Sequence, residues 1–155
     1  MKFIFLFLGK TKERYLDDAV ADFARRLGRY VDVEIVVLKE RYSRNDPEDV
    51  IRRIGGEILL AACRDNGLKV ALDLSGRHFD SPGLAAVLSE WQERGLRTVY
   101  FMIGGHLGLP DTVVRRADLV WCLSRLTFTH EMTRMILLEQ LYRACTINAG
   151  GRYHK

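Results

Sequence analysis

At 155 residues, 48% hydrophobic and 28% charged, the chain has the size and balance of one soluble globular domain over 1–155, which argues against a membrane-embedded or disordered protein. Its three cysteines (Cys63, Cys122, Cys145) are odd in number and lack C-x-x-C spacing, so reduced and at least partly buried thiols in a cytoplasmic protein are expected. The apolar run 3–8 is too short for a membrane span or a signal peptide, and the four histidines show no metal-ligand spacing, so no membrane and no metal are expected.

Residues 3–8 lack any period, as in a strand buried on both faces. Over 15–30, Leu16, Val20, Phe23, Leu27 and Tyr30 recur on one helical stripe opposite Asp18, Asp22 and Arg25. Residues 33–38, rich in β-branched side chains, predict a second strand, and 41–45 a polar loop. In the next helix, Asp46 is placed to cap and Pro47 suits the first position. Glu48 and Asp49 favour its positive dipole end, and Val50, Ile51, Ile54, Ile58 and Ala62 form its buried face. Gly55 and Gly56 in its middle cost about 1 kcal/mol each relative to Ala, which calls for close packing or a kink.

Asp65, Asn66 and Gly67 signal a turn, 69–74 a strand, and Ser75 with Gly76 another turn. Ser81 and Pro82 start a helix carrying Leu84, Val87, Leu88 and Trp91, which stops at Gly95. Strands over 99–103 and 119–123 flank a short helix that Pro110 can open, and a last helix runs from about His130 to Cys145. Five strands alternating with helices give an α/β fold, a mostly parallel sheet flanked by helices. Met132, Met135, Ile136, Leu137, Leu138, Leu141, Tyr142 and Ala144 cover almost the whole circumference of the last helix. Such a helix needs burial on both sides, by the sheet and, in a domain this small, by the second subunit of a homodimer.

The charge is unevenly placed. Residues 115–155 hold seven basic and three acidic residues, which is the whole net charge of +4 and favours an anionic partner such as RNA. Two predicted strands end in this region in small or hydroxylated residues, where an open α/β sheet forms its binding crevice. Gly104, Gly105 and Gly108 follow the first of them and let the backbone approach a ligand closely. Their spacing is G-G-x-x-G and not G-x-G-x-x-G, and the next strand ends in Leu123 and Ser124 where a ribose-binding acid would stand, so a nicotinamide cofactor is not expected. Thr127, Thr129, His130 and Arg134, with Tyr153 from the tail, form the polar constellation of the region. On a helix starting near His130, Arg134 falls one turn on, on the same face.

The segments LDLSG at 72–76, IGGHLGL at 103–109, LSRLTFTH at 123–130, LEQLYRA at 138–144 and YHK at 153–155 resemble, in order and along the whole chain, one family. It is the bacterial 23S rRNA pseudouridine-N3 methyltransferases of the SPOUT class. The resemblance implies a homodimer, S-adenosyl-L-methionine as cofactor, ribosomal RNA in the ribosome as substrate, and a C-terminal trefoil knot, where fold rules alone give an unknotted sheet. Matching positions place the cofactor at Leu72, Gly104 and Gly105, and at Leu123, Ser124, Arg125, Leu126, Thr127 and Phe128. On the substrate side, His130 or His154 would take the N3 proton and Arg134 would stabilise the charge developing on the base. Tyr153 and His154 of the tail would complete the pocket of the partner subunit. Thr129 stands where the family commonly has Pro, Glu131 where it has Gln, and Arg152 where Pro often precedes the Tyr-His pair. The basic face alone leaves another reading open, a non-catalytic RNA- or nucleotide-binding module.

Overall fold

The structure, a computed structural model, describes residues 1–64 and 66–155, so the turn expected at Asp65, Asn66 and Gly67 lies partly outside the described residues. Strands and helices alternate throughout: β1 Lys2–Leu8, α1 Arg14–Leu27, β2 Asp32–Leu38, α2 Glu48–Ala62, β3 Leu68–Arg77, α3 Ser81–Glu93, β4 Thr98–Ile103, α4 Asp111–Arg116, β5 Leu119–Trp121 and α5 His130–Asn148. The strands form one sheet in the order β2-β1-β4-β3-β5, with every pairing parallel.

The missing period of the strands now has its cause. Alternate residues of β1 and β4 enter two different cores. Phe3, Phe5, Phe7, Val99, Phe101 and Ile103 pack against α1, α3 and α5 on one face. Leu6, Leu8, Tyr100 and Met102 meet Leu59 of α2 and Val113 of α4 on the other. Phe101 stacks on Phe5 at 5.1 Å between centroids and meets Phe3 edge-on at 5.2 Å, which fixes how β4 sits on β1. Among the described residues, no helix is long and apolar enough to cross a membrane.

Three local expectations are revised. Asp46 does not cap α2; its carboxylate accepts from the Ser43 N–H at 2.8 Å within the preceding loop, and Pro47 takes the N-cap place. Ser75 and Gly76 do not end β3. Trp121 of β5 pairs with both Leu72 and Arg77, so the intervening residues bulge out and the strand resumes. A Cβ on Gly76 would stand 2.6 Å from the Val120 backbone, so only glycine allows this return.

The third revision concerns α5. Its buried side chains Leu137, Leu138, Leu141 and Ala144 join the core over the sheet, and its flanks pack on α1 and α3 of the same chain. The apolar circumference is therefore absorbed largely within one chain, and a second subunit needs other support.

Candidate active site

The bulge of β3 and the C-terminal ends of β4 and β5 open on one cleft of about 590 Å³. Its walls are residues 72–74 from the bulge of β3, 103–109 after β4, and Trp121, Leu123, Ser124 and 126–130 after β5, with Arg52 and Thr133 from α2 and α5. Leu72, Gly104, Gly105, Leu123, Ser124, Leu126, Thr127, Phe128 and His130, all marked in the sequence, thus line a single space. Arg125 is exposed and does not line it. A wider depression of about 670 Å³ lies along the outer edge of β2 near Lys2, Arg25 and Gly28, and none of the expected site residues reaches it.

Each wall has a local reason. A Cβ on Gly104 would stand 2.4 Å from the Gly108 backbone, so the loop 104–108 closes on itself only because Gly104 lacks a side chain. At Gly105 the nearest atom would be the Tyr42 hydroxyl, an ordinary 3.5 Å away. Gly108 turns the chain at φ +77°.

Behind the loop, α2 acts as a back plate. Arg52 donates to the Leu109 carbonyl at 3.0 Å, and a Cβ on Gly56 would come within 2.4 Å of Pro110. Gly55 likewise sits against Leu8. The glycine pair is therefore a packing device, and α2 runs through it unbroken. Tyr42 donates to Glu40 at 3.0 Å; burial first, and then that carboxylate, push its hydroxyl pKa up to about 12.

The loop 123–128 is held by two bonds. Leu126 N–H donates to Ser124 Oγ and the Cys122 thiol donates to the Ser124 carbonyl, both at 3.0 Å. Among the described residues, most of its peptide groups find no protein partner, as a ligand-reading segment requires. Thr129 then caps α5, its Oγ1 accepting from Met132 N–H at 3.2 Å, a bond that Pro could not make. His130 is the first residue of the helix. Burial, reinforced by the nearby Arg134 charge, lowers its pKa and favours the neutral imidazole.

Arg134 is placed otherwise than expected. It is fully buried and does not line the cleft. Its guanidinium donates to the Leu8 carbonyl at 2.7 Å and to Thr11 Oγ1 at 2.9 Å, and its Cζ lies 4.6 Å from the Phe7 ring centre. Glu131 beside it accepts from the Lys12 and Glu13 amides. Burial works against that charge, but the amide bonds outweigh it and hold the carboxyl below its usual value. Tyr153 and His154 do not line this cleft either. Tyr153 lies on the second half of α5, donating to Glu139 at 2.9 Å, edge-on to Tyr142 at 4.7 Å and beneath the Arg143 guanidinium at 4.7 Å. Arg143 also pairs with Glu139.

Known proteins resemble this chain along its whole length. The family model described as "Predicted SPOUT methyltransferase" matches residues 1–154. The chain belongs to the SPOUT methyltransferase family. Ribosomal RNA large subunit methyltransferase H of Desulfotalea psychrophila is 42% identical, and that of Bifidobacterium adolescentis 40% identical, each with all of both chains covered. Among solved structures, a probable methyltransferase of Bordetella pertussis shares the fold, with a TM-score of 0.57 at 15% identity over 93% of this chain and 95% of that one. The cleft residues that sequence reasoning did not assign to the site include Arg52, Asp73, Leu74, His106, Leu107, Trp121 and Thr133. Asp73 and Leu107 lie inside segments already singled out, whereas nothing in the spacing of α2 or α5 points Arg52 or Thr133 at the glycine loop.

Proposed function

We propose that this SPOUT methyltransferase uses S-adenosyl-L-methionine to methylate N3 of a pseudouridine in large-subunit ribosomal RNA within the ribosome. The observation that carries this reading is the single cleft where the expected cofactor positions meet His130. Full-length likeness to relatives named for large-subunit ribosomal RNA supports the substrate class.

The residues present fit the cofactor. The cleft volume of about 590 Å³ falls within the roughly 300–1,000 Å³ of small-molecule sites. Leu72, Ile103, Leu109, Trp121 and Phe128 offer apolar walls to an adenine ring, and the free peptide groups of 123–128 suit its polar edge. When bound, S-adenosyl-L-methionine supplies a methyl group that is already electrophilic. The protein's part is then alignment, which can supply roughly 7–11 kcal/mol, and removal of the N3 proton. His130, held neutral by its surroundings, would accept that proton. Because its pKa lies below the ordinary 6.5, kcat/KM should fall only on the acid side of that value, and His130→Gln should lose this limb. A pH profile of kcat/KM checks both.

The same reading includes a homodimer and the family's trefoil knot. Tyr15 of α1 and Met132 of α5 are exposed large apolar side chains that a second copy could cover. Tyr153 and His154 do not line their own cleft, and this reading has them serve the partner's. Calorimetry with S-adenosyl-L-methionine, followed by methyl transfer to ribosomes that lack the modification, tests the whole. Gly104→Ala should abolish cofactor binding while Gly105→Ala retains it. Wild-type affinity in both variants would remove the loop from the site, and cofactor binding without ribosome methylation would overturn the substrate.

A further inference from the structure

The loop 9–13 joins β1 to α1 at the same sheet end as the cleft, since Phe7 of β1 pairs with Ile103 of β4. Gly9 turns the chain there at φ +70°. The rest of the loop is fixed from α5 by two buried charges. Glu131 accepts from Lys12 N–H at 3.0 and 3.1 Å and from Glu13 N–H at 3.0 Å, while Arg134 holds the Leu8 carbonyl and Thr11 Oγ1. Burying a carboxylate and a guanidinium is expensive, and water could have served the amides of a surface loop.

What the arrangement secures is direction. The backbone of Lys12 is tied inward to the residue next to His130, and the side chains of Lys10 and Lys12 remain exposed. Neither ammonium has an ion-pair partner among the described residues, whereas Lys2 pairs with Glu34 and Arg14 loosely with Asp18. Glu13 offsets part of this charge, but its backbone is tied to the same anchor. Two lysines without an ion-pair partner, on a pre-ordered loop at the cleft's end of the sheet, suit anionic groups, and a fixed loop loses little freedom on binding.

We propose that Lys10 and Lys12 contact phosphates of the RNA strand that delivers its base to His130, with Glu131 and Arg134 as the positioning residues of that contact. The proposal rests on the ribosomal RNA reading above. Phosphate contacts of this kind position the strand without reading its sequence and weaken with salt.

Binding of unmodified ribosomes to wild type and to Lys10→Ala/Lys12→Ala, followed over a salt series, tests it. The double variant should bind more weakly, with the slope of log affinity against log salt reduced by about 1–2. Its melting temperature and its affinity for S-adenosyl-L-methionine should be those of wild type. Lys10→Arg/Lys12→Arg should restore the slope. A wild-type slope in the alanine variant, or weaker binding with no change in slope, overturns the proposal. Wild-type protein that binds no ribosomes overturns the substrate reading and this contact together, so the two failures are distinguishable.

Discussion

At the first turn of α5, Glu131 and Arg134 are buried and reach to the backbone of residues 8–13; about two turns later, Glu139 and Arg143 are partly exposed, bind each other and hold the Tyr153 hydroxyl. The same residue types thus do different work at the two ends of one helix. A buried charge whose partner is the backbone of a distant segment cannot be released without opening the core. A carboxylate and guanidinium that satisfy each other can give up a third member at small cost. The first end is bound into the fold and orders a neighbouring loop, and the second holds the tail by partly exposed contacts.

The largest test of this contrast is Arg134→Ala. It orphans the Leu8 carbonyl, leaves a gap over Phe7 and exposes Glu131 to loss of its neighbour's charge. Unfolding in urea should show a loss of roughly 3–4 kcal/mol. A loss under about 1 kcal/mol would mean that the guanidinium is not holding β1, and would return Arg134 to the candidates for catalysis.

Glu131→Ala is the intermediate case, costing about 2 kcal/mol because two backbone amides lose a charged acceptor. It also carries a pH signature. The carboxyl's pKa in the folded protein lies below its ordinary 4.5, so its stabilisation is present above that value and is lost as pH falls through the folded one. The gap between wild type and variant should therefore be widest near neutrality and close on acidification below about pH 4.5. A gap independent of pH would show that the amide bonds do not depend on the ionised form.

The fold was legible wherever the signal is local. Unbroken apolar runs mark strands covered on both faces, and β1 and β4 are such strands. Glycines after one strand and hydroxyl-bearing residues after another mark the crevice, and both line the same cleft. What escaped depends on partners far along the chain. Helical spacing puts Arg134 on the face of His130, but only the folded sheet brings the end of β1 there and fills that face. Gly55 and Gly56 look like a fault in α2 until Leu8 and Pro110 are seen against them. The bulge of β3 reads as a turn because Ser75 and Gly76 are turn residues, and only the pairing of Arg77 with Trp121 reveals that the strand resumes.

The smallest expected effect on stability is at the second end. Tyr153→Phe removes one hydrogen bond to Glu139 and keeps the ring against Tyr142 and Arg143. That bond is partly solvent-accessible and Glu139 keeps Arg143, so the loss should be under about 1 kcal/mol in the urea experiment. Function should respond differently if the tail serves the partner's cleft. Deleting 153–155 should spare folding, dimerisation and cofactor binding and abolish methylation of ribosomes. Mixing that deletion with Gly104→Val, which lacks a working cleft but has its tail, should restore activity, because one pocket of each mixed dimer receives an intact glycine loop and an intact tail. Mixed dimers that form, as mass spectrometry of the intact assembly can show, and yet stay inactive would mean that Tyr153 and His154 serve their own chain. Both ends of α5 would then work within a single chain, and the contrast between them would be one of strength alone.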